Sequence, residues 1–122
     1  MILGTVDPRR RAIVRLELRG PNGQQEAVDF QVDTGFNGTL QVPLAVALRR
    51  GLAQEESVTM RLADGERNTV AVYGAVVVWD GSEKQVAMPN AGRQPLLGTG
   101  LLDGHNLNVD IKLGGAVTIT AL

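Results

Sequence analysis

This sequence contains no cysteine and a single histidine, His105. Without a thiol, the chain cannot form disulfides, use a thiolate nucleophile, or bind zinc or an iron–sulfur cluster through cysteine. One histidine cannot build a multi-histidine metal site, and any Ser-His-Asp triad would depend on that residue alone. We therefore expect no metal ion and no cofactor.

Aromatic residues are also scarce, at 3% of the chain, and the formal net charge is only −1. Proteins that bind nucleic acids usually combine a basic surface with aromatic side chains that stack on bases. The one basic cluster, Arg9-Arg10-Arg11, is interpreted as a solvated segment. We therefore expect no nucleic-acid partner.

Long apolar runs are the third absence. Met1-Ile2-Leu3 is too short for the apolar part of a signal peptide, and no later run is long enough to cross a bilayer. We therefore predict a cytoplasmic protein with no membrane partner. The 122 residues, 43% hydrophobic and 20% charged, are typical of one globular domain, which we assign to residues 1–122.

Alternation of apolar and polar residues is the main structural signal, and it predicts β-strands. Segments 14–18 and 28–32 alternate on either side of Pro21-Asn22-Gly23, which predicts a hairpin. A second hairpin is predicted between residues 58 and 79, and Asp80-Gly81-Ser82 then turns the chain back.

The last alternating stretch covers residues 107–113. It is followed by Gly114-Gly115, which predicts a two-residue turn into a final strand that contains Val117 and Ile119.

Helical signals are limited to two places. Leu44, Leu48 and Leu52 recur at helical spacing after Pro43, which predicts the main helix. Leu101-Leu102 predicts a short helix nearer the C-terminus. Because strands greatly outnumber helices, we predict an all-β domain, closed or sandwiched, with one main helix and a short C-terminal helix.

Asp33-Thr34-Gly35 is the most informative motif, and it follows directly on the alternating residues Val28, Phe30 and Val32. A carboxylate that activates water must sit in a fixed turn with its oxygens accessible, and the end of a strand is a rigid mount for it. Glycine allows close approach of the backbone, and the threonine hydroxyl can lock the loop by hydrogen bonding. Asp33 is therefore a candidate catalytic carboxylate.

The triplet occurs once, which constrains any mechanism. Peptide hydrolysis by carboxylates needs two of them about 3 Å apart, so that the pair shares one proton and supplies both base and acid. A symmetric dimer would provide the second Asp33. Alternatively, Asp80, Asp103 or Asp110 could provide it within one chain, or Asp33 could simply cap a turn.

Two weaker signals are given structural interpretations. Gly98-Thr99-Gly100 lacks the lysine of a phosphate-binding loop and is interpreted as a tight turn from strand to helix. His105 lies between Asp103 and Asn106 and could act as a base, but an exposed turn histidine is the ordinary case.

The chain as a whole resembles the retropepsin-like aspartic proteases, the single-lobe retroviral type, and in particular their small bacterial and archaeal relatives. Three motifs, in this order and spanning most of the chain, carry the likeness: Val32-Asp33-Thr34-Gly35-Phe36-Asn37-Gly38 with Leu40, then Leu62-Ala63-Asp64-Gly65, then Leu96-Leu97-Gly98 followed by Leu101-Leu102.

This resemblance implies a closed β-barrel lobe that forms an obligate homodimer and acts as an aspartic endopeptidase on peptide or protein substrates. Asp33 of each subunit would be catalytic, supported by Thr34, Gly35 and Phe36, with Thr34 in a hydrogen-bonded grip between the two loops. The terminal strands, with Ile2-Leu3 and Val117–Ile119, would interleave at the dimer interface.

Two further segments take roles from the same resemblance. A flap over the substrate would contain Leu62, Ala63, Asp64, Gly65 and Glu66. A segment packed behind the catalytic loop would contain Leu96, Leu97 and Gly98. The alternative function on the same scaffold is a catalytically weak or inactive peptide-binding or assembly module.

Overall fold

The computed structural model describes residues 1–20, 23–49, 53–61 and 65–122. Ten strands belong to one sheet, and two short helices accompany it. The strands are β1 (Ile2–Val6), β2 (Ala12–Arg19), β3 (Gln25–Val32), β4 (Leu40–Gln41), β5 (Ala53–Arg61), β6 (Arg67–Trp79), β7 (Ser82–Pro89), β8 (Leu96–Leu97), β9 (His105–Val109) and β10 (Ala116–Ala121). The helices are α1 (Leu44–Arg49) and α2 (Thr99–Leu102).

The sheet has a main path and a branch. The main path runs β4-β8-β3-β2-β1-β10-β9, and β6 joins it by pairing with the end of β2 while β5 and β7 pair with β6. Within the described ranges the two ends of the path, β4 and β9, do not pair with each other. The prediction of a mainly β fold with two small helices is confirmed, whereas closure into a barrel is not.

Both predicted long hairpins are present. Strands β2 and β3 pair antiparallel from Ile13↔Gln31 to Arg19↔Gln25, and β5 pairs with β6 up to Arg61↔Arg67. The turn from β6 to β7 is a two-residue turn in which Asp80 and Gly81 have φ values of 50° and 83°. Positive φ at both positions matches the twist of a hairpin, which explains the Asp-Gly sequence.

Alternation along the strands correctly identifies the core. Val14, Leu16 and Leu18 of β2 are buried, as are Val28 and Phe30 of β3. On the other face, Arg15 and Asp29 are exposed and form an ion pair with Nε···Oδ1 at 2.8 Å. The two faces of this hairpin therefore divide as the period of two predicts.

The last hairpin differs from the prediction. Strand β9 ends at Val109, and residues 110–115 form a loop rather than a continued strand with a two-residue turn. Ile111 and Leu113 are 64% and 75% exposed in it. The reason is tertiary, because the loop is bonded to β1: Gly114 N–H donates to Val6 O, and Val6 N–H donates to Gly115 O.

Helix α1 begins after Pro43, as predicted, with the N–H groups of Val46 and Ala47 bonded to Pro43 O. Its buried residues include Val46 and Ala47, whereas Leu44 is 47% exposed, so the buried side of the helix does not include the first leucine of the spacing that predicted it. Leu52 lies outside the described residues. Neither α1 nor α2 has the length and apolar character needed to cross a membrane.

Strand β10 lies between β1 and β9 of the same chain. Val117, Thr118 and Ile119 pair with β1 on one side and with β9 on the other. Both backbone edges of this segment are therefore occupied, and a partner's terminal strand cannot add to it. The expected interleaving of Val117–Ile119 with a second subunit is wrong for this sheet.

Candidate active site

Asp33 lies in the connection between β3 and β4, and these two strands are separated by β8. Strand β8 pairs parallel with β3 and antiparallel with β4, so Leu97 is aligned with Val32 on one side and Leu40 on the other. Residues 33–39 must therefore pass over the end of β8 to reach β4. The turn therefore begins and ends on two strands that are both paired with β8.

Backbone hydrogen bonds join the turn to the segment after β8. Asp33 N–H donates to Leu97 O at 2.9 Å, and Gly98 N–H donates to Thr39 O at 2.9 Å. Both Leu97 and Gly98 are buried. The beginning and the end of the turn are thus held by two adjacent residues, Leu97 at the end of β8 and Gly98 directly after it.

The middle of the turn is held by the start of α2. Thr99 donates to Phe36 O twice, from its backbone N–H at 2.8 Å and from Oγ1 at 3.2 Å. Gly100 N–H donates to Gly38 O at 3.0 Å. The interpretation of Gly98-Thr99-Gly100 as a tight strand-to-helix turn is confirmed, and the N–H groups of these three residues donate to carbonyl oxygens of the Asp33 turn.

The Asp33 side chain is half-buried and oriented by its own turn. Gly35 N–H donates to Asp33 Oδ1 at 2.9 Å, and Phe36 N–H donates to Asp33 O at 3.1 Å. No donor in the described part of the chain is bonded to Oδ2. Thr34 and Gly35 are exposed at the tip. One carboxylate oxygen is therefore fixed while the other remains available, as a water-activating carboxylate requires.

The Phe36 ring packs on the inner side of the turn. A Cβ placed on Gly98 would lie 2.5 Å from Phe36 Cδ2, and one on Gly38 would lie 2.5 Å from Phe36 Cζ. Real side chains do not approach this closely, so glycine at both positions is what makes room for the ring. Phe36 therefore occupies space between the turn and β8.

Comparison with known proteins bears on the fold. No protein-family model and no curated protein sequence matches the chain. Among solved structures, it is similar to a retropepsin-like aspartic protease from Rickettsia conorii, with a TM-score of 0.54 and 17% identity over 99% of this chain and 90% of that one. This chain has a retropepsin-like fold. At this identity the likeness concerns the fold, and the chemistry must be argued from the site.

Within this retropepsin-like fold, the predicted flap is the tip of the β5–β6 hairpin. Leu62, Ala63 and Asp64 lie outside the described residues. Gly65 has a φ of +87°, a conformation that favours glycine, and Gly65 and Glu66 are exposed. The hairpin is present and its tip follows the Arg61↔Arg67 pair, while its role over a substrate stays a prediction.

The other candidate carboxylates lie in different turns. Asp80 is in the β6–β7 turn, where its Oδ1 is 2.7 Å from the amino group of Met1. Asp103 follows α2 and Asp110 follows β9, and both are exposed. Across the described ranges, no three His, Asp or Glu side chains cluster closely enough to hold a metal ion.

His105 is a structural residue rather than an exposed turn histidine. Trp79 Nε1–H donates to His105 Nε2 at 3.3 Å, and His105 Nδ1 lies 3.0 Å from Asp103 O. Because the indole can only donate, Nε2 accepts and Nδ1 carries the proton. The rings also meet edge to face, with centroids 5.4 Å apart. Both ring nitrogens are thus engaged, and the ring is half-buried.

Sequence reasoning missed the polar chain beside the site. Asp7 bonds Arg11, Arg11 donates to Gln94, and Gln94 donates to Gln31, two residues before Asp33. Burial raises the pKa of Asp7, but the hydrogen bonds from Arg11 and Arg9 outweigh it, so the pKa lies below its ordinary value. Gln31 and Gln94 are uncharged and far apart in sequence, so no local pattern could connect them.

Proposed function

We propose that this protein is a homodimeric aspartic endopeptidase in which the Asp33 carboxylates of two subunits activate a water molecule between them. The observation that supports this most is the Asp33 turn itself: Gly35 N–H fixes one carboxylate oxygen, while β8 and α2 brace the backbone. A rigid turn with an accessible oxygen suits general acid–base chemistry better than a simple cap, which needs no such bracing.

The chemistry requires two carboxylates that share one proton. The ionised Asp33 would take a proton from water as the water attacks the peptide carbonyl, and the protonated Asp33 would donate to the developing oxyanion. A proton then passes to the leaving amine. The other acidic residues considered, Asp80, Asp103 and Asp110, lie in other turns, which favours a second subunit as the source of the partner.

The exposed tip of the turn is suited to meet a second copy. Thr34 and Gly35 are exposed next to Asp33, so a two-fold axis passing beside them would bring two identical tips together. In this dimer Thr34 would bond across the axis, and each β5–β6 hairpin would cover an extended peptide. Phe36 faces Gly38 and Gly98, which leaves the outer side of the turn open for substrate.

The replacement of Asp33 by Asn tests the catalytic assignment. We expect Asp33→Asn to abolish cleavage of a peptide mixture, followed by mass spectrometry from acid to neutral pH with a pepstatin-type inhibitor as a control. Asp110→Asn, which changes an exposed carboxylate in the loop after β9, should cleave normally. Cleavage by Asp33→Asn at the parent rate would refute the mechanism. A dimer that binds peptides without cleaving them would favour the binding-module alternative.

Mixing subunits tests whether the site is shared. If two Asp33 residues form one site, an equal amount of Asp33→Asn protein should lower the activity of a fixed amount of parent protein to about half, because pairing is random. The temperature of unfolding should also rise with protein concentration. Unchanged activity after subunit exchange would show that one chain is sufficient and would contradict the shared site.

A further inference from the structure

The outer edge of β3 is open along most of its length. Strand β3 pairs with β2 from Gln25 to Gln31, but on its other side it pairs with β8 only at Gln31 and Val32. Nothing else in the described ranges pairs with that side. An unpaired strand edge offers a row of backbone donors and acceptors to another polypeptide.

The hydrogen bonds of Gln31 show which groups are available. Gln31 N–H donates to Pro95 O, so its backbone faces the β8 side. Backbone groups alternate along a strand, which places the N–H and C=O of Ala27 and Asp29 on the same side as those of Gln31. Beyond β8 these groups have no strand partner among the residues described.

This edge opens into a cavity of about 600 Å³ between β3, α1 and the loop before β8. The lining includes Ala27, Val28 and Asp29 of β3, with Pro43 and Val46 on the opposite side. A second cavity of about 370 Å³ adjoins it and shares Asp29, Gln94 and Pro95. We call the two together the β3 groove. Its size lies in the range of ligand sites, and its lining near α1 is largely apolar.

The charges of the β3 groove leave one cation unpaired. Arg15 bonds Asp29 through Nε and Nη2, at 2.8 and 3.3 Å, and Arg11 bonds Asp7 at 2.7 Å. These two pairs are neutral overall. Arg93 also lines the groove, is exposed, and has no ion-pair partner in the part of the chain that the structure describes. The groove therefore carries local positive charge on a protein whose net charge is −1.

We propose that the β3 groove binds an extended polypeptide segment, which adds as a strand to the edge at Ala27–Asp29 and places an acidic side chain on Arg93. The free backbone groups provide affinity by strand addition, and Arg93 selects for a carboxylate. The groove is separate from the proposed active site, because none of the residues from Asp33 to Phe36 lines either cavity. A second copy of this chain, with its own β3 edge, is the competing occupant.

Three probe peptides separate the parts of this proposal. The first is a fluorescent nine-residue peptide of alternating threonine and valine with a central glutamate. The second has glutamine at the centre, and the third has N-methylated backbone amides on the edge-facing residues. Binding is measured by fluorescence anisotropy on the full-length Asp33→Asn protein, so that cleavage of the probe cannot affect the result. We expect the glutamine probe to bind about tenfold more weakly and the N-methylated probe not to bind measurably.

Protein variants and amide exchange locate the site. Arg93→Gln should weaken binding of the glutamate probe about tenfold and leave binding of the glutamine probe unchanged. Arg9→Gln, which replaces an exposed arginine outside the groove, should change the binding of neither probe. The glutamate probe should slow hydrogen exchange at the amides of Ala27 and Asp29. No binding of the glutamate probe, equal binding of the glutamate and glutamine probes, or protection elsewhere would overturn the proposal. So would protection of these amides without probe in a dimer, which would assign the edge to a second copy.

Discussion

Replacing Gly98 by alanine, which adds one methyl group, tests how closely the Asp33 turn packs against the residue after β8. A Cβ at Gly98 would lie 2.2 Å from Gly38 O, 2.6 Å from Phe36 O and 2.5 Å from Phe36 Cδ2. Two of these three atoms are backbone carbonyl oxygens and cannot rotate away. The same residue has φ −105° and ψ 175°, an extended conformation that alanine adopts without strain.

Gly98→Ala has two effects on stability with opposite signs, one on the unfolded chain and one on the folded turn, so the sign of the measured change decides between them. Alanine in an unstrained conformation would stabilise the protein by about 0.4–1 kcal/mol, because it restricts the unfolded chain. Overpacking against rigid carbonyls costs about 3 kcal/mol, at the upper end of its usual range. Weakening the Gly98 N–H bond to Thr39 O adds about 1 kcal/mol. We therefore expect a net loss of about 3 kcal/mol in the free energy of unfolding.

Urea unfolding can measure this loss directly. Trp79 is the only tryptophan and is 2% exposed, so its fluorescence reports loss of the core. Gly104→Ala is the matched control: nothing lies within 4 Å of its added Cβ, but its φ is +79°, so it should cost about 1 kcal/mol. A Gly98→Ala protein as stable as the parent, or more stable, would refute the close approach.

A double variant separates the ring from the carbonyls. Adding Phe36→Ala to Gly98→Ala removes the 2.5 Å contact with the ring but leaves the two contacts with carbonyl oxygens. The loss in free energy of unfolding of the double variant should therefore be smaller than the sum of the two single losses by only about 0.5–1 kcal/mol. Complete rescue would show that the ring alone requires glycine, and that the backbone of the turn does not.

Three more results are expected from the same structure. Phe36→Ala alone should lower the free energy of unfolding by about 1–3 kcal/mol, because a half-buried ring is lost, with urea unfolding as the measurement. Leu97→Ala, at a fully buried position next to the turn, should cost about 2–5 kcal/mol in the same assay, and a cost below 1 kcal/mol would contradict its burial. Asp7→Asn should reduce stability near neutral pH: the folded-state pKa lies below 3.8, so the ion pair with Arg11 stabilises the fold above that value and is lost as pH falls through the folded pKa. Thermal unfolding of this variant and the parent should therefore converge in acid, and a constant difference would refute the assignment.

Much of the fold and part of the site could be predicted from local sequence. The alternation in residues 14–18 and 28–32 identified the buried side chains of β2 and β3, because a strand exposes its two faces in turn. Asp80-Gly81 identified a hairpin turn, because few residues accept positive φ at both positions. Asp33-Thr34-Gly35 located the candidate carboxylate because it directly follows an alternating strand, which is also a local signal.

Prediction failed where the structure depends on distant residues. Ile111 and Leu113 continue an alternating pattern, yet they are exposed, because Gly114 N–H donates to Val6 O and Val6 N–H donates to Gly115 O, which makes the segment a loop. His105 looks like a turn residue, but Trp79, which is 26 residues away, bonds its ring. In each case the deciding partner belongs to another element.

By itself, the sequence determined the strand pattern, the Asp33 turn and the glycines that such turns need, since each of these depends on the conformational and burial preferences of neighbouring residues. The tertiary structure alone decided that β8 lies between β3 and β4, that Thr99 braces Phe36 across 63 residues, and that the edge of β3 is left open. These features arise from pairing between distant segments. The free energy of such pairing depends on which other edges and faces are already occupied, and no local pattern contains that information.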